Sequence, residues 1–422
     1  MKIIGDFHIH SRYSRATSPS LNLESLAKSA RIKGLDLLGT GDITHPKWFA
    51  EISEQLEEDD ISGFYKLKDG NKSPVFVITT EVATVFQREG KSRKIHHCLM
   101  LPGVEEAAQL SDLLSKRGDL AADARPVFNM SAAELVGILK SVSDDAEIYP
   151  AHAWTPWWSM FGANFGFNSL DECYEEYSGR IKALETGLSS DPPMNWRISS
   201  LHRFTLLSNS DCHSAYPFRL GREANILELE TLDYSSLLGA IRKDGRSRVI
   251  TTIETKPEYG KYHWTGHRNC GISLPAEKSI AYKGKCPKCG RKLTRGVEER
   301  VAELADREKG FKPEGVAGYL YAYPLQELIA TVIGERDPLS KNVHQIYDKA
   351  IAAFGNEFNV TLYAPVTALS EVLGNETAGL ISSVRNDTAE VVPGYDGVYG
   401  RLKLNGEERE KPEPKRGLEN WI

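Results

Sequence analysis

Over its first 255 residues the chain alternates short β-branched or aromatic runs with amphipathic stretches. That alternation limits the possible fold more than any other feature. The runs are KIIGDFHI, LDLLGTGD (35–42), VFVITTEV (75–82), HHCLMLP (96–102), EIYPAHA (147–153), KALET (182–186) and FTLLSNSD (204–211). Helical patterns such as NLESLAKSARIKG and SAAELVGILKSV lie between most of them. Repeated strand–helix–strand units favour a parallel sheet covered by helices. Seven such strands in series predict a barrel or a partly open one. Two further strand-like runs, ANILELE and SRVITTIET, close the region.

At 422 residues the chain is too long for one ordinary domain. The expected division is a barrel over 1–255, a lysine- and cysteine-bearing segment over 256–300, and a mainly helical region over 301–422. The last residues, KPEPKRGLENWI, are expected to be poorly anchored. A hydrophobic content of 41% with 26% charged residues is that of a globular chain. No apolar run reaches membrane-spanning length, and MKIIGDFHIH does not read as a signal peptide, so a cytoplasmic protein that binds no membrane is expected. The net charge of −6 offers no global attraction to nucleic acid. Any such contact must come from local basic patches.

Each predicted strand ends in residues that bind cations. His8 and His10 are two apart on the first strand, so they share a face. The others are Asp42, Glu81, the pair His96 and His97, His152, Glu185, and Asp211 with His213. In parallel α/β barrels, functional side chains gather at the carboxyl ends of the strands. Imidazole and carboxylate donors suit Zn, Mn, Mg or Fe. So many donors exceed the needs of one ion, and two or three are expected. Neighbouring metals clamp the attacking and leaving oxygens of a phosphoryl centre, which points to phosphoester hydrolysis.

DFHIHSRYS, GTGD, the strand-end Glu81, His152 and SDCHS resemble the motifs of the polymerase-and-histidinol-phosphatase (PHP) superfamily. The likeness covers roughly residues 1–255. It implies a distorted (β/α)7 barrel with a di- or trinuclear metal site. It also implies His8, His10, Glu81, His97, His152, Asp211 and His213 as ligands, with Asp42 joining them. The pattern departs in two places. Ile43 follows Asp42 where a histidine is usual, and His45 stands displaced with its role open. A third histidine after the first motif is replaced by a stretch carrying Arg12 and Arg15, which can bind phosphate in a bidentate way. His96 is expected to face away from the site, as a core or hydrogen-bonded side chain.

A second metal motif follows. HRNC and CPKC give His267-x2-Cys270-x15-Cys286-x2-Cys289, the spacing of a structural zinc site. His263 is an alternative to His267. Around it lie Lys285, Lys288, Arg291 and Lys292, and KPEYGKYHWTGHRN interleaves lysines with Tyr259, Tyr262 and Trp264. Basic groups track phosphates and aromatic rings stack on bases. The plainer alternative is a charged module that only staples the fold.

A PHP barrel followed by such a zinc element and a helical region resembles the endonuclease Q family of DNA-repair enzymes, over essentially the whole chain. That resemblance implies cleavage of the phosphodiester 5′ to a deaminated base (hypoxanthine, uracil, xanthine) or an abasic site. It makes Asp191, beside Asp42 and Glu185, a candidate catalytic carboxylate. A helix cap before PPMNW is the other reading of Asp191. Trp154, Trp157 and Trp158 could hold an unstacked base or simply cap the barrel. Arg197 is a further candidate DNA contact. A replication clamp fits such a role as a partner, although no clamp-binding box stands out. A phosphomonoesterase acting on a small metabolite is the alternative function, and it leaves the basic zinc module without a use.

Overall fold

The computed structural model describes residues 1–59, 62–70 and 73–403, so the KPEPKRGLENWI tail lies outside the described residues. In chain order the strands are β1 (Lys2–Asp6), β2 (Leu37–Gly39), β3 (Leu56–Asp59), β4 (Phe64–Leu67), β5 (Val75–Arg88), β6 (Lys91–Leu101), β7 (Val127–Phe128) and β8 (Glu147–Pro150). Then come β9 (Ala183–Glu185), β10 (Thr205–Leu207), β11 (Ala224–Glu228), β12 (Arg248–Glu254), β13 (Thr265–His267), β14 (Ile272–Leu274) and β15 (Gly318–Tyr321). The fold is mixed α/β around one large central sheet in the order β15-β12-β11-β1-β2-β5-β4-β3, with β6 and β7 on β5 and β8 on β6.

The sheet is not the parallel one expected. β1, β2 and β5 are parallel, but β6 is antiparallel to β5 and to β8, and β11 is antiparallel to β1 and β12. The physical reason lies at Glu89 and Gly90, which both take positive φ (51° and 72°). A two-residue turn of that kind sends the chain straight back without a crossover helix. VFVITTEV and HHCLMLP are thus two arms of one hairpin. β9 and β10 form a separate parallel pair, so among the described residues the hydrogen-bonded ladder is open between β8 and β9.

The parallel trio brings strand ends together. Gly5 and Asp6 register with Leu37 and Leu38, and Leu37 to Gly39 with Val75 to Val77. Past β1, His10 N–H donates to Cys212 O (3.2 Å) and Asp211 N–H to His8 O (2.9 Å), which pins the two histidine-bearing segments together. The GTGD turn presses against the same strand. Gly41 has φ of +60°, and a Cβ there would lie 2.2 Å from Ile9 O. The helix Leu23–Lys33 covers this layer. Asn22 and Ser25 form its capping box, and Leu23, Leu26, Ala27 and Ala30 face the core. That spacing is one face of a helix.

The sheet does not end at residue 255. β15 pairs in parallel with β12, and the helix Val297–Leu304 puts Val297 and Val301 into the main core. Arg300 also donates to Phe161 O and Phe167 O, clamping the end of the cysteine-bearing segment to the body. Residues 321–389 build their own core from Leu325, Leu328, Val343, Tyr347, Leu369 and Ile381. Lys33 joins it to the body through a buried ion pair with Glu357 (2.6 Å). No helix among the described residues is long and apolar enough to cross a membrane.

Gly41→Ala should lower the unfolding free energy by about 2 kcal/mol or more, because it adds both backbone strain and a clash. Denaturant unfolding of the variant against the wild type measures this.

Candidate metal centre

His8 and His10 are both buried, while Ile9 between them points into the apolar core. Each ring is held from behind by a carboxylate. His8 Nδ1–H donates to Glu185 (3.0 Å) and His10 Nδ1–H to Asp42 (3.0 Å). Each ring thereby turns its Nε2 toward one shared space. His8 Nε2 lies 3.7 Å from Glu81 and 3.7 Å from Asp211; His10 Nε2 lies 2.9 Å from Asp211 and 3.5 Å from Glu81. A carboxylate behind an imidazole fixes its tautomer and makes the opposite nitrogen a better donor to a cation. Burial opposes charge on His10, yet the Asp42 charge and the hydrogen bonds to Asp211 and Asp42 outweigh it and lift its pKa to about 9.

This geometry corrects the expectation for Asp42 and Glu185. The second Asp42 oxygen accepts from Ser11 N–H (2.6 Å) and Ser11 Oγ (2.7 Å). Glu185 further accepts from His152 N–H (2.6 Å) and Asn209 Nδ2 (2.8 Å). Both carboxylates face the far sides of the rings. Asp42 lies in none of the converging donor groups, whereas Glu185 shares one with His8 and Cys98.

The hairpin register decides the histidine pair. Glu81 stands opposite Cys98, and Ala83 opposite His96. Directly opposed residues share a face, and so do residues two apart, so Glu81, Cys98 and His96 face one way and His97 the other. His96 Nδ1 accordingly lies 2.6 Å from Glu81. His97 is enclosed instead by Thr84 Oγ1 and Tyr174 OH, each 2.9 Å away, and burial pushes its pKa down to about 3. The expected assignment is therefore reversed: His96 faces the site and His97 belongs to the packing behind it. The turn at Glu89-Gly90 was the sequence signal that would have shown this.

His152 Nε2 reaches Glu81 at 3.2 Å. His213 donates Nδ1–H to Asp211 O (2.9 Å), and burial lowers its pKa to about 4, so the ring stays neutral with Nε2 bare. Burial would raise the Glu81 and Asp211 pKa values, but the surrounding imidazoles hold both well below the usual carboxylate range. Asp42, His152 and Asp211 take positive φ (50°, 30° and 46°), strain that concentrates at functional positions.

These residues fit divalent metals. The donor atoms of His8, His10 and Asp211 lie within 4.8 Å of one another, as do those of Glu81, His96 and His152. Among the described residues, His8 Nε2, His213 Nε2 and Glu81 Oε2 are buried without a hydrogen-bond partner. Buried polar atoms are seldom left so, and nitrogen and oxygen donors converging here are what Zn, Mn, Mg or Fe would use.

The remaining candidates separate clearly. Asp191 caps the helix Pro192–Trp196: Met194 N–H donates to one oxygen (2.9 Å) and Tyr321 OH to the other (2.6 Å). Burial lifts its pKa to about 6. His45 stacks on Tyr13 (4.6 Å between ring centres), outside the ligand groups. Trp154 is core, stacked on Phe161 and bonded to Asn195 (2.8 Å), which corrects its assignment as a DNA contact. Trp157 meets Tyr262 edge-on, and Trp158 sits 5.3 Å from the His96 ring with Lys94 over its face. Arg12 pairs with Glu51 (2.6 Å), Arg15 is exposed, and Arg197 is half-buried. Arg125, absent from the sequence-based candidates, puts its Nε 4.0 Å from Glu81. It lies outside the strand-end pattern, and no local signal marks it.

The second cluster brings His267, Cys270, Cys286 and Cys289 together, all four donors within 4.8 Å. His267 ends β13 and Cys270 lies in the turn between β13 and β14, and the Lys285–Lys292 bridge closes the loop around the second pair. Burial works against a Cys286 thiolate, yet N–H groups of Cys289 and Lys288 outweigh it and bring its pKa to about 6. The donor set fits zinc. Lys285, Lys288, Arg291 and Lys292 are all exposed on this module, and His263 is buried away from the four donors.

His96→Ala should lose metal from the main centre. His97→Ala should keep it, while losing about 1–3 kcal/mol of stability for the stranded hydroxyls. Elemental analysis and unfolding curves on the two variants distinguish the roles.

A family profile described as the MJ0043 C-terminal domain matches residues 324–388, within the separate C-terminal core. The Bacillus subtilis protein YqxK, itself uncharacterized, is 29% identical over 95% of this chain and 99% of its own. The lesion-specific endonuclease PfuEndoQ of Pyrococcus furiosus superposes with a TM-score of 0.86, at 32% identity over 96% of each chain. Endonuclease Q in complex with a 27-mer duplex substrate carrying an abasic lesion at its active site gives 0.85, at 31% identity over 96% of this chain and 97% of its own. With the whole architecture and nearly all of the sequence aligned, this chain belongs to the endonuclease Q family.

Proposed function

We propose that this protein is a metal-dependent DNA endonuclease that cuts the phosphodiester 5′ to a deaminated base or an abasic site. What supports this most is a converging set of buried imidazole and carboxylate donors in a chain akin to an endonuclease that binds an abasic duplex at its active site. Two or three divalent metals, held by His8, His10, Glu81, His96, His152, Asp211 and His213, would supply Lewis acidity toward the phosphate and its attacking water. The protein's own part is positional. Glu185 and Asp42 hold the His8 and His10 rings in place, and the bond from Asp211 O does the same for His213. Trp158 stands beside His96 and Trp157 against Tyr262, and an unstacked base could lie against either ring. Asp191 stays a catalytic candidate on the family resemblance, alongside the cap that it forms.

The cysteine-bearing module, with one structural zinc, would track the duplex backbone through Lys285, Lys288, Arg291 and Lys292. Replacing all four with alanine should weaken binding to every duplex alike. The slope of log affinity against log salt should fall by about one unit for each phosphate that the module no longer neutralises. Fluorescence anisotropy over a salt series measures it.

The central test is a cleavage assay with end-labelled duplexes carrying one deoxyinosine, one deoxyuridine or one abasic site, in Mn²⁺, Mg²⁺ or Zn²⁺. A single cut 5′ to the lesion is expected, falling about 100-fold or more in Asp211→Ala. Intact DNA alongside release of phosphate from a small monoester would overturn the reading in favour of a metabolic phosphatase.

A further inference from the structure

We infer that Arg125 grips the scissile phosphate, a role that rests on the phosphodiesterase reading above. Arg125 lies in the loop 119–126, between the helix Val104–Ser115 and β7. The loop is fastened on two sides. Ala83 N–H, on the strand that carries Glu81, donates to Pro126 O (2.9 Å), and Ala124 N–H donates to Tyr13 O (3.3 Å). Asp123 accepts from both Arg15 N–H (3.2 Å) and Arg125 N–H (3.1 Å). The segment after His10 and the segment before β7 are therefore sewn together. Arg125 stands where that seam meets the donor cluster.

Its side chain is 18% exposed and its Nε lies 4.0 Å from Glu81 Oε2, too far for a hydrogen bond. One Nη2 donor goes to Arg15 O (3.3 Å). Glu81 is already shared among His8, His10, His96 and His152, so it is not a dedicated partner. A guanidinium keeps its charge at every working pH and cannot ligate a metal. Glu81, Asp211, Asp123 and Asp42 favour its charge. With metal cations bound among those carboxylates, the guanidinium would need a further anion. Phosphate is the anion that a phosphodiesterase brings there. The planar fork can take two of its oxygens at once. Arg12, by contrast, is already committed to Glu51.

The experiment compares wild type, Arg125→Ala, Arg125→Gln and Arg125→Lys on a duplex with one abasic site, in single-turnover cleavage, with metal content measured on each protein. If the wild type leaves the duplex uncut, the endonuclease reading fails, whatever Arg125 does. Given wild-type cleavage, Arg125→Ala should slow it about 100- to 1000-fold with metal content unchanged. Guanidinium ion added to the Ala variant should restore part of the rate and leave the wild type unaffected. The Lys variant should recover only a part, having charge without the fork. Should the Ala variant fail to fold, Arg125→Gln, which keeps most of the stem, reads the same loss. An unchanged rate, or a loss cured by excess metal alone, would overturn the inference and leave Arg125 as a counter-charge to Glu81.

Discussion

Glu81 is a carboxylate held almost wholly out of water, and the rest of the site is arranged around that burial. An unpaired charge in such a place costs several kcal/mol even after the protein relaxes. Its surroundings answer that cost: His96 at 2.6 Å, His152 at 3.2 Å, His10 at 3.5 Å and His8 at 3.7 Å. Those rings come from three separate segments, past β1, within β6 and past β8, so compensating one charge requires the sheet to close up around it. Ile78, Val82, Leu99 and Leu101 of the same hairpin are fully buried and hold the carboxylate at that depth.

The groups behind the rings matter as much as those in front. Asp42 and Glu185 are buried anions whose work is to hold imidazoles, and each is itself fully hydrogen-bonded. Asp6 repeats the theme one layer deeper, accepting from Ser210 N–H and Gly221 N–H and so bracing the segment that carries Asp211. The strained backbone at Asp42, His152 and Asp211 persists because these networks and the close approach at Gly41 leave the chain no relaxed alternative.

The C-terminal region is tied to this centre through buried polar contacts rather than through a broad apolar seam alone. Glu357 accepts from Lys33, Leu325 N–H and Tyr347 OH, so one side chain joins the helix beneath β1 to two segments of the separate core. Removing one member of such a pair costs about 3–5 kcal/mol, because the other is left charged and buried. Through Arg300 the zinc-type module is fixed to the loop that carries the tryptophans.

The sequence offered His8, His10, Glu81, His152, Asp211 and His213 as donors, and the fold brings them together, as it does the four donors of the second cluster. Their spacing is set by local geometry: two residues on a strand share a face, and short loops between cysteines close on one ion. His96 was legible in principle, since a two-residue turn fixes the register of its hairpin, but only once β5 and β6 are seen as partners. Trp154 could not be told from a rim residue, because nothing in WTPWW says which ring packs on Phe161. Asp42, Glu185 and Arg125 needed the tertiary structure. Glu185 meets His8 across 177 residues of chain, and Arg125 meets Glu81 only because β7 pairs with β5. The sequence by itself determined which donors exist and which share a strand face. The tertiary structure alone decided which side of each ring a carboxylate occupies, because that depends on how distant segments stack, and no local spacing encodes it.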